Sequence, residues 1–127
     1  MLGMANGCFD GLHEGHRFFL LQCAMLCDEL IIALNTDPAV RALKGEGRPI
    51  NDVWARRDAL LATGKVSDVK YFGKNLRGII RQTKPDIVFR GWDQMHEPWL
   101  AGYRVVSIPQ LPGYSTTLEV ARRCSGG

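Results

Sequence analysis

The sequence of 127 residues predicts an α/β fold, a Rossmann-like, doubly wound parallel sheet of five strands with helices on both faces. Short apolar segments alternate along the chain with segments of helical periodicity, which is the pattern of a parallel sheet with crossover helices. Residues 30–34 are a continuous apolar run, as expected for a strand that is buried on both faces. Polar clusters directly follow the predicted strands, at the edge where such sheets bind their ligands. These clusters are residues 6–16, 35–37, 90–93 and 113–117.

The strands and helices are predicted in strict alternation, which indicates one domain over residues 1–127. The predicted strands are residues 1–5, 30–34, 66–72, 86–89 and 103–108. The predicted helices are residues 14–27, 38–43, 51–62 and 75–83, and a last helix that begins at Ser115 or Thr116. Residues 94–101 are expected to be irregular or to form one short helix.

Three of these helices have recognisable start signals. Asp37 stands directly before Pro38, so this aspartate is a candidate cap and the proline fits the first turn. Asn51 is the expected cap of the third helix. Thr116 and Glu119 have the spacing of a capping box in the last helix.

The first predicted helix is apolar around most of its circumference, so we expect it to be well packed. Phe18, Leu21 and Met25 share one face of this helix. Leu20 and Ala24 lie beside that face.

Composition places the chain among ordinary globular proteins, with 46% hydrophobic and 23% charged residues. The net charge of +3 fits an anionic substrate but lacks the concentrated basic stripe of a nucleic-acid-binding protein. No run approaches the roughly 18 apolar residues of a membrane span. The start of the sequence has no charged region followed by a cleavage site, so we expect no secretory signal and a cytoplasmic location.

The four cysteines, Cys8, Cys23, Cys27 and Cys124, lack the spacing of a zinc site. We expect them to be reduced thiols, buried or half-buried. No protein ligands for a metal are predicted.

Residues 6–16, Asn-Gly-Cys-Phe-Asp-Gly-Leu-His-Glu-Gly-His, carry the strongest chemical signal. They join a strand to a helix whose start carries His13 and His16. The first-turn N–H groups and the helix dipole favour an anion by about 0.3–1 kcal/mol per charge at an exposed site. Gly15 allows a phosphate to approach the backbone closely, and the imidazoles can donate to phosphoryl oxygens. The stretch therefore predicts a phosphate site.

Two other interpretations of the histidine pair compete with phosphate binding. Packing or capping would be the better interpretation of two arbitrary histidines, but the strand–glycine–helix context favours a ligand. A zinc protease needs histidines four positions apart, as in H-E-x-x-H, whereas His13 and His16 are three positions apart.

The motifs together resemble those of the nucleotidyltransferase superfamily with the H-x-G-H motif, the cytidylyltransferase-like group. The run from Asn6 to His16 is highly specific for this group, and Asn-Thr-Asp at 35–37 resembles its Asn-Ser-Asp. Leu-Lys-Gly-Glu-Gly-Arg-Pro-Ile-Asn at 43–51 is similar to the pattern of the adenylyltransferase domain of ADP-heptose synthases. Gly-Tyr-Ser-Thr-Thr at 113–117 resembles the C-terminal phosphate signature of the group. Glycerol-3-phosphate cytidylyltransferases are also similar in pattern.

The resemblance implies a reaction and its participants. The phosphate of a phosphorylated small molecule would attack the α-phosphorus of a nucleoside triphosphate in line, and pyrophosphate would leave. Positioning and charge neutralisation would supply the catalysis. Mg²⁺ would be the cofactor, held mainly by the nucleotide phosphates and by water. The resemblance also implies a homodimer.

The resemblance implies roles for individual residues. His13, His16 and Lys44 would be catalytic, the lysine as a charge that draws the phosphates of the two substrates together. The implied nucleotide- and phosphate-binding residues are Phe9, Asp10, Gly15, Arg90, Gly91, Asp93, Ser115, Thr116 and Thr117. The implied substrate-binding residues are Asp37, Arg48 and Arg56.

Local alternatives remain open for several of these residues. Lys44, Arg48 and Arg56 could be solvated surface cations. Asp37 could face the substrate or cap its helix. The hydroxyl residues at 115–117 could cap the last helix, which is compatible with phosphate binding.

The sequence also departs from the family pattern in places. Trp92 stands where glycine or aspartate is common, so its indole could stack on a base or change the choice of nucleotide. Residues 94–99 do not match the family, and His96 and Trp99 are candidates for a substrate lid or a dimer contact, or for an exposed loop. The acceptor therefore stays open.

Three functions remain as hypotheses. The heptose-type stretches favour transfer of AMP from ATP to a sugar 1-phosphate. The alternative within the family is a transferase with another acceptor, such as glycerol phosphate with CTP, or a flavin or pantetheine phosphate with ATP. A nucleotide-binding module without catalysis is the alternative outside it, although the intact His13, His16 and Lys44 count against it.

Overall fold

The computed structural model describes residues 1–92, 94 and 97–111. Within these residues the strands are β1 (Leu2–Gly7), β2 (Glu29–Asn35), β3 (Asp68–Phe72), β4 (Ile87–Gly91) and β5 (Val105–Ile108). The helices are α1 (Glu14–Met25), α2 (Asp37–Lys44), α3 (Val53–Ala62) and α4 (Leu76–Thr83), and a 3₁₀ helix (Pro98–Gly102) precedes β5.

The strands form one parallel sheet in the order β3-β2-β1-β4-β5. β1 is central, and its Met4 lies opposite Ile31 of β2 and Val88 of β4. The chain builds outward from β1 to β3, returns across the sheet to β4, and continues outward to β5. This reversal creates a switch point between β1 and β4, so the predicted doubly wound fold is confirmed.

A hydrophobic core covers each face of the sheet, because successive side chains of a strand point to opposite faces. Met4 and Ala5 are neighbours in β1 but belong to different cores. Leu20 of α1 and Leu60 of α3 pack in the core that contains Ala5. Ile80 of α4 packs in the core that contains Met4. Helices therefore pack on both faces, as the sequence predicts.

α1 buries a different face from the apolar one that the sequence suggests. Leu21 and Met25 are 39% and 70% exposed, whereas His16, Phe19 and Cys23 are buried. Periodicity could not choose the buried face, because apolar residues surround most of the helix. Packing against the sheet and the cap that turns His16 inward make the choice.

Two of the expected helix caps are wrong. Thr36 occupies the N-cap position of α2, so Asp37 lies in the first turn. Asp52, rather than Asn51, caps α3, and its carboxylate accepts a backbone N–H from the first turn. Asp37 and Asn51 hydrogen-bond instead to distant residues of the candidate site.

Most other differences from the prediction concern the ends of the elements. β1 and β4 each run two residues beyond their predicted ends, whereas β3 and β5 begin two residues later than predicted. The short helix expected within residues 94–101 is the 3₁₀ helix. The predicted last helix lies outside the described residues. Among the helices described, none combines the length and the apolar character needed to cross a membrane.

Candidate active site

The candidate site lies at the carboxyl edge of the sheet, beside the switch point between β1 and β4. The connection from β1 to α1, residues 8–13, occupies this edge. Side chains from β4 and α3 reach it, since Arg90 bonds to Asn6 and Arg56 bonds to the carbonyl of Cys8. The topology thus brings together polar residues that are far apart in the sequence.

His13 and His16 form a reciprocal capping box at the start of α1. Nδ1 of His13 accepts the backbone N–H groups of Gly15 at 3.0 Å and of His16 at 3.4 Å. Nδ1 of His16 accepts the backbone N–H of His13 at 3.3 Å. The two rings stack with their centroids 3.8 Å apart. Because each Nδ1 atom is an acceptor, each neutral ring carries its proton on Nε2.

This cap changes how the start of α1 can bind an anion. The N–H groups of Gly15 and His16 point at the His13 ring, so they are not the main donors for a phosphate. The two Nε2–H groups are donors that the stacked rings can offer instead. His16 is buried, and although His13 is half-buried as a residue, its Nε2 atom is buried as well.

Phe9 supports the histidines from inside the protein. Its φ of 48° is uncommon for a bulky residue and bends the chain sharply after β1. Its ring is buried, with the centroid 5.3 Å from that of His16. Phe9 therefore shapes the turn through its backbone and through its contact with His16.

Asp10 holds the turn against the loop that follows α2. Its buried carboxylate accepts the backbone N–H groups of Ile50 at 2.7 Å and Asn51 at 2.9 Å. It also accepts hydrogen bonds from Nδ2 of Asn51 at 3.1 Å and from Nε of Arg48 at 3.2 Å. Burial by itself would raise the pKa of Asp10, but these hydrogen bonds outweigh it and lower the pKa below its ordinary value.

Arg56 is a buried cation that joins four segments of the site. Its guanidinium donates to the carbonyls of Cys8 at 2.9 Å and Asn35 at 2.8 Å. It also donates to the carbonyl of Asn51 at 3.0 Å and to the carboxylate of Asp37 at 2.5 Å. Arg56 is only 1% exposed, so the expectation of a solvated cation is wrong for this residue. Its role in substrate binding stays a prediction, and Asp37 is the partly exposed member of the pair.

The end of α2 and the loop that follows it carry the other predicted cations. Lys44 is the last residue of α2 and is half-buried. Gly45 and Gly47 have φ values of 97° and 85°, which glycine adopts without steric cost. These turns bring Arg48 beside Asp10, with a quarter of the arginine side chain exposed.

The end of β4 closes the other side of the site. Arg90 is buried, and its guanidinium donates to Oδ1 of Asn6 at 2.9 Å. The N–H of Gly91 donates to Oε1 of Gln94 at 2.7 Å, and the N–H of Gln94 donates to the carbonyl of Gly91 at 3.0 Å. This tight turn presents Trp92 at its tip, 42% exposed.

A cavity of about 350 Å³ opens at the same edge of the sheet, over β1, β2 and β3. Its volume is within the usual range for small-molecule sites. It is lined by Asn6, Gly7, Asn35, Ala39, Ala42, Leu43, Phe72, Gly73, Lys74 and Gln94. None of the predicted site residues that the structure describes lines the cavity, but Gly7 leads directly into the turn that carries the histidines.

Sequence reasoning missed the polar residues that line this cavity. Asn6 and Asn35 belong to polar clusters at strand ends, and this position was the available signal for them. Gln94 lies in a stretch that does not match the family pattern. Lys74 follows a strand as an exposed lysine, which has no local feature to distinguish it from a surface charge.

Some residues named from the sequence lie outside the described part of the chain. They are Asp93, His96, Ser115, Thr116 and Thr117. Trp99 is described, and it is half-buried. Its indole N–H donates to Glu97 at 2.7 Å, and its ring meets Tyr103 edge to face.

The chain is similar to curated proteins that are much longer than it is. The bifunctional protein HldE of Rhodopseudomonas palustris (strain BisA53) is 42% identical to the chain over 135 residues. HldE of Rhodospirillum rubrum is 37% identical over 133 residues. Each alignment covers 98% of this chain and 27% of the relative, so the chain spans about a quarter of the length of these relatives.

Solved structures and a family model extend this comparison. The lipopolysaccharide core biosynthesis protein from Thermoplasma volcanium matches with a TM-score of 0.73 and 25% identity, over 87% of this chain and 96% of that one. Pantothenate synthetase from Thermus thermophilus matches at 11% identity with a TM-score of 0.60, over 87% of this chain and 56% of that one, which shows a shared fold alone. A model described as cytidylyltransferase-like matches residues 4–119. With nearly its whole length matched, the chain belongs to the cytidylyltransferase-like family of nucleotidyltransferases.

Proposed function

We propose that the chain transfers a nucleoside monophosphate, preferably AMP from ATP, to a phosphorylated small molecule of the sugar 1-phosphate class. An oxygen of the acceptor phosphate attacks the α-phosphorus, the bond to the β-phosphate oxygen breaks, and pyrophosphate leaves. The product is a nucleoside diphosphate sugar. The relatives named HldE and the lipopolysaccharide core biosynthesis protein support a sugar-phosphate acceptor.

The observation that carries this proposal is the pair of stacked imidazoles at the switch point. Backbone N–H groups occupy both Nδ1 atoms, so His13 and His16 are held as Nε2–H donors without a change of rotamer on binding. Preorganised donors of this kind stabilise negative charge that grows on phosphoryl oxygens during transfer. Lys44 at the end of α2 and Arg48 on the loop that follows supply positive charge for the substrates' phosphates.

Mg²⁺ is proposed as the cofactor. No group of three possible His, Cys, Asp or Glu ligands occurs within the described ranges, which favours an ion held by nucleotide phosphates and water. Asp10 is a poor candidate ligand, because four hydrogen bonds already occupy its carboxylate. When bound, the ion would neutralise phosphate charge. A homodimer and a cytoplasmic location are proposed as well, on the family resemblance.

Pyrophosphate release tests the proposed function. The protein would be assayed with Mg²⁺, each of the four nucleoside triphosphates, and a panel of sugar 1-phosphates with glycerol 3-phosphate. We expect turnover with ATP and a sugar 1-phosphate. His16→Asn keeps an acceptor for the N–H of His13 but removes the Nε2–H donor, so kcat should fall by about 10²–10³-fold. Arg17→Ala changes the next, exposed residue and should leave the rate unchanged.

Two outcomes contradict this assignment. Unchanged activity in His16→Asn would remove the imidazole pair from the chemistry. A folded protein that binds nucleotide but turns over no pair of substrates would be a binding module. Thermal shift gives the binding result, since a nucleotide at one hundred times its Kd adds about 2.7 kcal/mol to stability.

The family description favours a second candidate, a cytidylyltransferase that uses CTP and glycerol 3-phosphate. The same assay separates the two candidates. Turnover with CTP and glycerol 3-phosphate, together with larger thermal stabilisation by CTP than by ATP, would select this second function.

A further inference from the structure

The side chains that line the cavity over β1, β2 and β3 narrow the class of acceptor that the chain can use. This inference rests on the proposed function. Its inner end, at Asn6 and Gly7, lies against the turn that holds the histidines. Its outer end is formed by Gly73 and Lys74, directly after β3. The acceptor's phosphate must lie near the histidines to react, so its carbon skeleton can extend along this cavity.

The amide side chains of the cavity are oriented by the protein. Oδ1 of Asn6 accepts a hydrogen bond from Arg90 at 2.9 Å, and Oδ1 of Asn35 accepts one from the thiol of Cys8 at 3.6 Å. The Nδ2 groups are therefore what these two asparagines can present to a ligand. Both groups are donors, and they suit hydroxyl or oxyanion acceptors on the ligand.

The described residues that line the cavity carry charge of one sign. Lys74 is the cation among its described lining residues, and none of those residues is Asp or Glu. Apolar side chains, including Ala42, Leu43 and Phe72, surround the polar groups. Lys74 is exposed at the outer end of the cavity, so its ammonium can pair with an anionic group of a ligand there. A neutral end of a ligand would not form this ion pair.

The distance across the strands suits an acceptor with two separated charges. Two inter-strand steps of about 4.8 Å each separate β1 from β3, which gives about 10 Å between the inner and outer ends. A six- or seven-carbon sugar phosphate can bridge this span, whereas a three-carbon chain is too short. The reacting phosphate would lie at the inner end and the second group at Lys74.

We propose that the acceptor carries a second anionic group, a phosphate or a carboxylate, at the end remote from its reacting phosphate. Lys74 is then a specificity-determining residue that binds this distal group. The asparagine amides donate to the hydroxyl groups between the two charges.

A matched acceptor series tests this proposal. Three hexose 1-phosphates of one configuration would be compared, with a hydroxyl, a phosphate or a carboxylate at carbon 6. We expect kcat/KM to be about two- to fivefold higher for the two acceptors with a charged distal group than for the hydroxyl compound, mainly through KM, as for an ion pair with an exposed lysine. The phosphate and carboxylate arms identify which distal anion is preferred.

Variants assign the effect to the cavity. Lys74→Ala should remove the preference by raising KM for the charged acceptors, with kcat and the hydroxyl acceptor little changed. Lys74→Glu should reverse the preference. Lys65→Ala is the matched control, because Lys65 is an exposed lysine at the opposite end of β3 and should keep the wild-type preference.

The proposal fails if wild-type protein uses the hydroxyl acceptor as well as the charged ones, or if Lys74→Ala and Lys65→Ala behave alike. Loss of all turnover would instead count against the proposed transferase function. In that case, thermal shift with the same acceptors tests whether the cavity binds the distal anionic group. Stabilisation by the charged acceptors that Lys74→Ala abolishes supports the cavity assignment, and equal stabilisation by all three overturns it.

Discussion

Single side chains in this site act mainly by holding the backbone in place. Asp10 uses both carboxylate oxygens to bind residues 48–51, and Arg56 donates to three carbonyls. Each is buried and charged, and burial of an unpaired charge would cost several kcal/mol. Their hydrogen bonds offset that cost and join segments that would otherwise be separate loops. The residues that can meet substrate stand on these joined segments.

Asp10→Asn should show how much the hydrogen bonds of the Asp10 carboxylate contribute to the free energy of unfolding. The lowered pKa means that ionised Asp10 stabilises the fold above the ordinary value of 3.8, and that this stability is lost as the pH falls through the lower folded-state pKa. At neutral pH we expect the variant to lose about 1.5–3 kcal/mol of unfolding free energy, the usual value of a hydrogen bond to a charged group. Urea unfolding at neutral pH and below pH 3.8 measures this, and the difference should shrink in acid.

Asp58→Asn provides the control for Asp10→Asn. Asp58 pairs with Arg57 on the surface of α3, and its side chain is 67% exposed, so its loss should change stability by less than about 1 kcal/mol. A loss in Asp10→Asn that is equally large at neutral and acid pH would contradict the electrostatic role of Asp10.

At the scale of elements, α1 shows how one structure serves two purposes. Its start is a capping box made of the same imidazoles that we propose for catalysis. Substitution of either histidine by alanine would therefore disturb the helix and the chemistry together. A test of catalysis needs a side chain that caps but has no ring nitrogen to donate.

His13→Asn separates capping from catalysis in α1. Asparagine is among the best N-cap residues, and its Oδ1 can take the place of Nδ1 as acceptor for Gly15 and His16. We expect unfolding free energy within about 0.5 kcal/mol of wild type and a kcat that falls by about 10²–10³-fold. His13→Ala should lose the same activity and about 1 kcal/mol of stability as well. Equal activity in His13→Asn and wild type would show that the histidine only caps the helix.

At the scale of the whole molecule, the packing around the central strand β1 leaves no space for a side chain at Gly3. Gly3 of β1 faces the core that contains Phe89 and Cys27. A Cβ atom at Gly3 would lie 2.8 Å from Sγ of Cys27 and would also overlap the Phe89 ring. The absence of a side chain at Gly3 thus leaves room for Cys27, which follows α1, and for the ring of Phe89 in β4.

Gly3→Ala should therefore strain the packing of the whole domain. We expect a loss of about 1–3 kcal/mol in unfolding free energy, the range for an overpacked core. Gly102→Ala is the control, since a Cβ atom there would meet no atom of the described residues within 4 Å and should change stability by less than about 0.5 kcal/mol. Urea denaturation of the two variants provides the comparison. A Gly3→Ala protein as stable as wild type would show that the core has room to adjust.

Sequence patterns accounted for the features that depend on neighbouring residues. The alternation of apolar runs and helical segments predicted the doubly wound sheet, because strand burial and helix periodicity are local properties. The run from Asn6 to His16 predicted a turn between a strand and a helix start, because strand, glycine and helix start follow each other directly, whereas phosphate binding at this turn stays a prediction. These predictions needed no knowledge of distant contacts.

Only the tertiary structure decided which partners the polar residues take. Asp10 and Ile50 are 40 residues apart in the sequence, and no local pattern connects them. Asn51 was expected as a cap, but it binds Asp10 because the loop folds back onto the turn. The buried face of α1 was ambiguous for the same reason, since a helix that is apolar nearly all round is oriented by what it packs against. The sequence thus determined the fold class and the position of the histidine motif. Long-range packing decided the buried charges and the cavity that ends at Lys74, because both are built from segments that meet only in the folded chain.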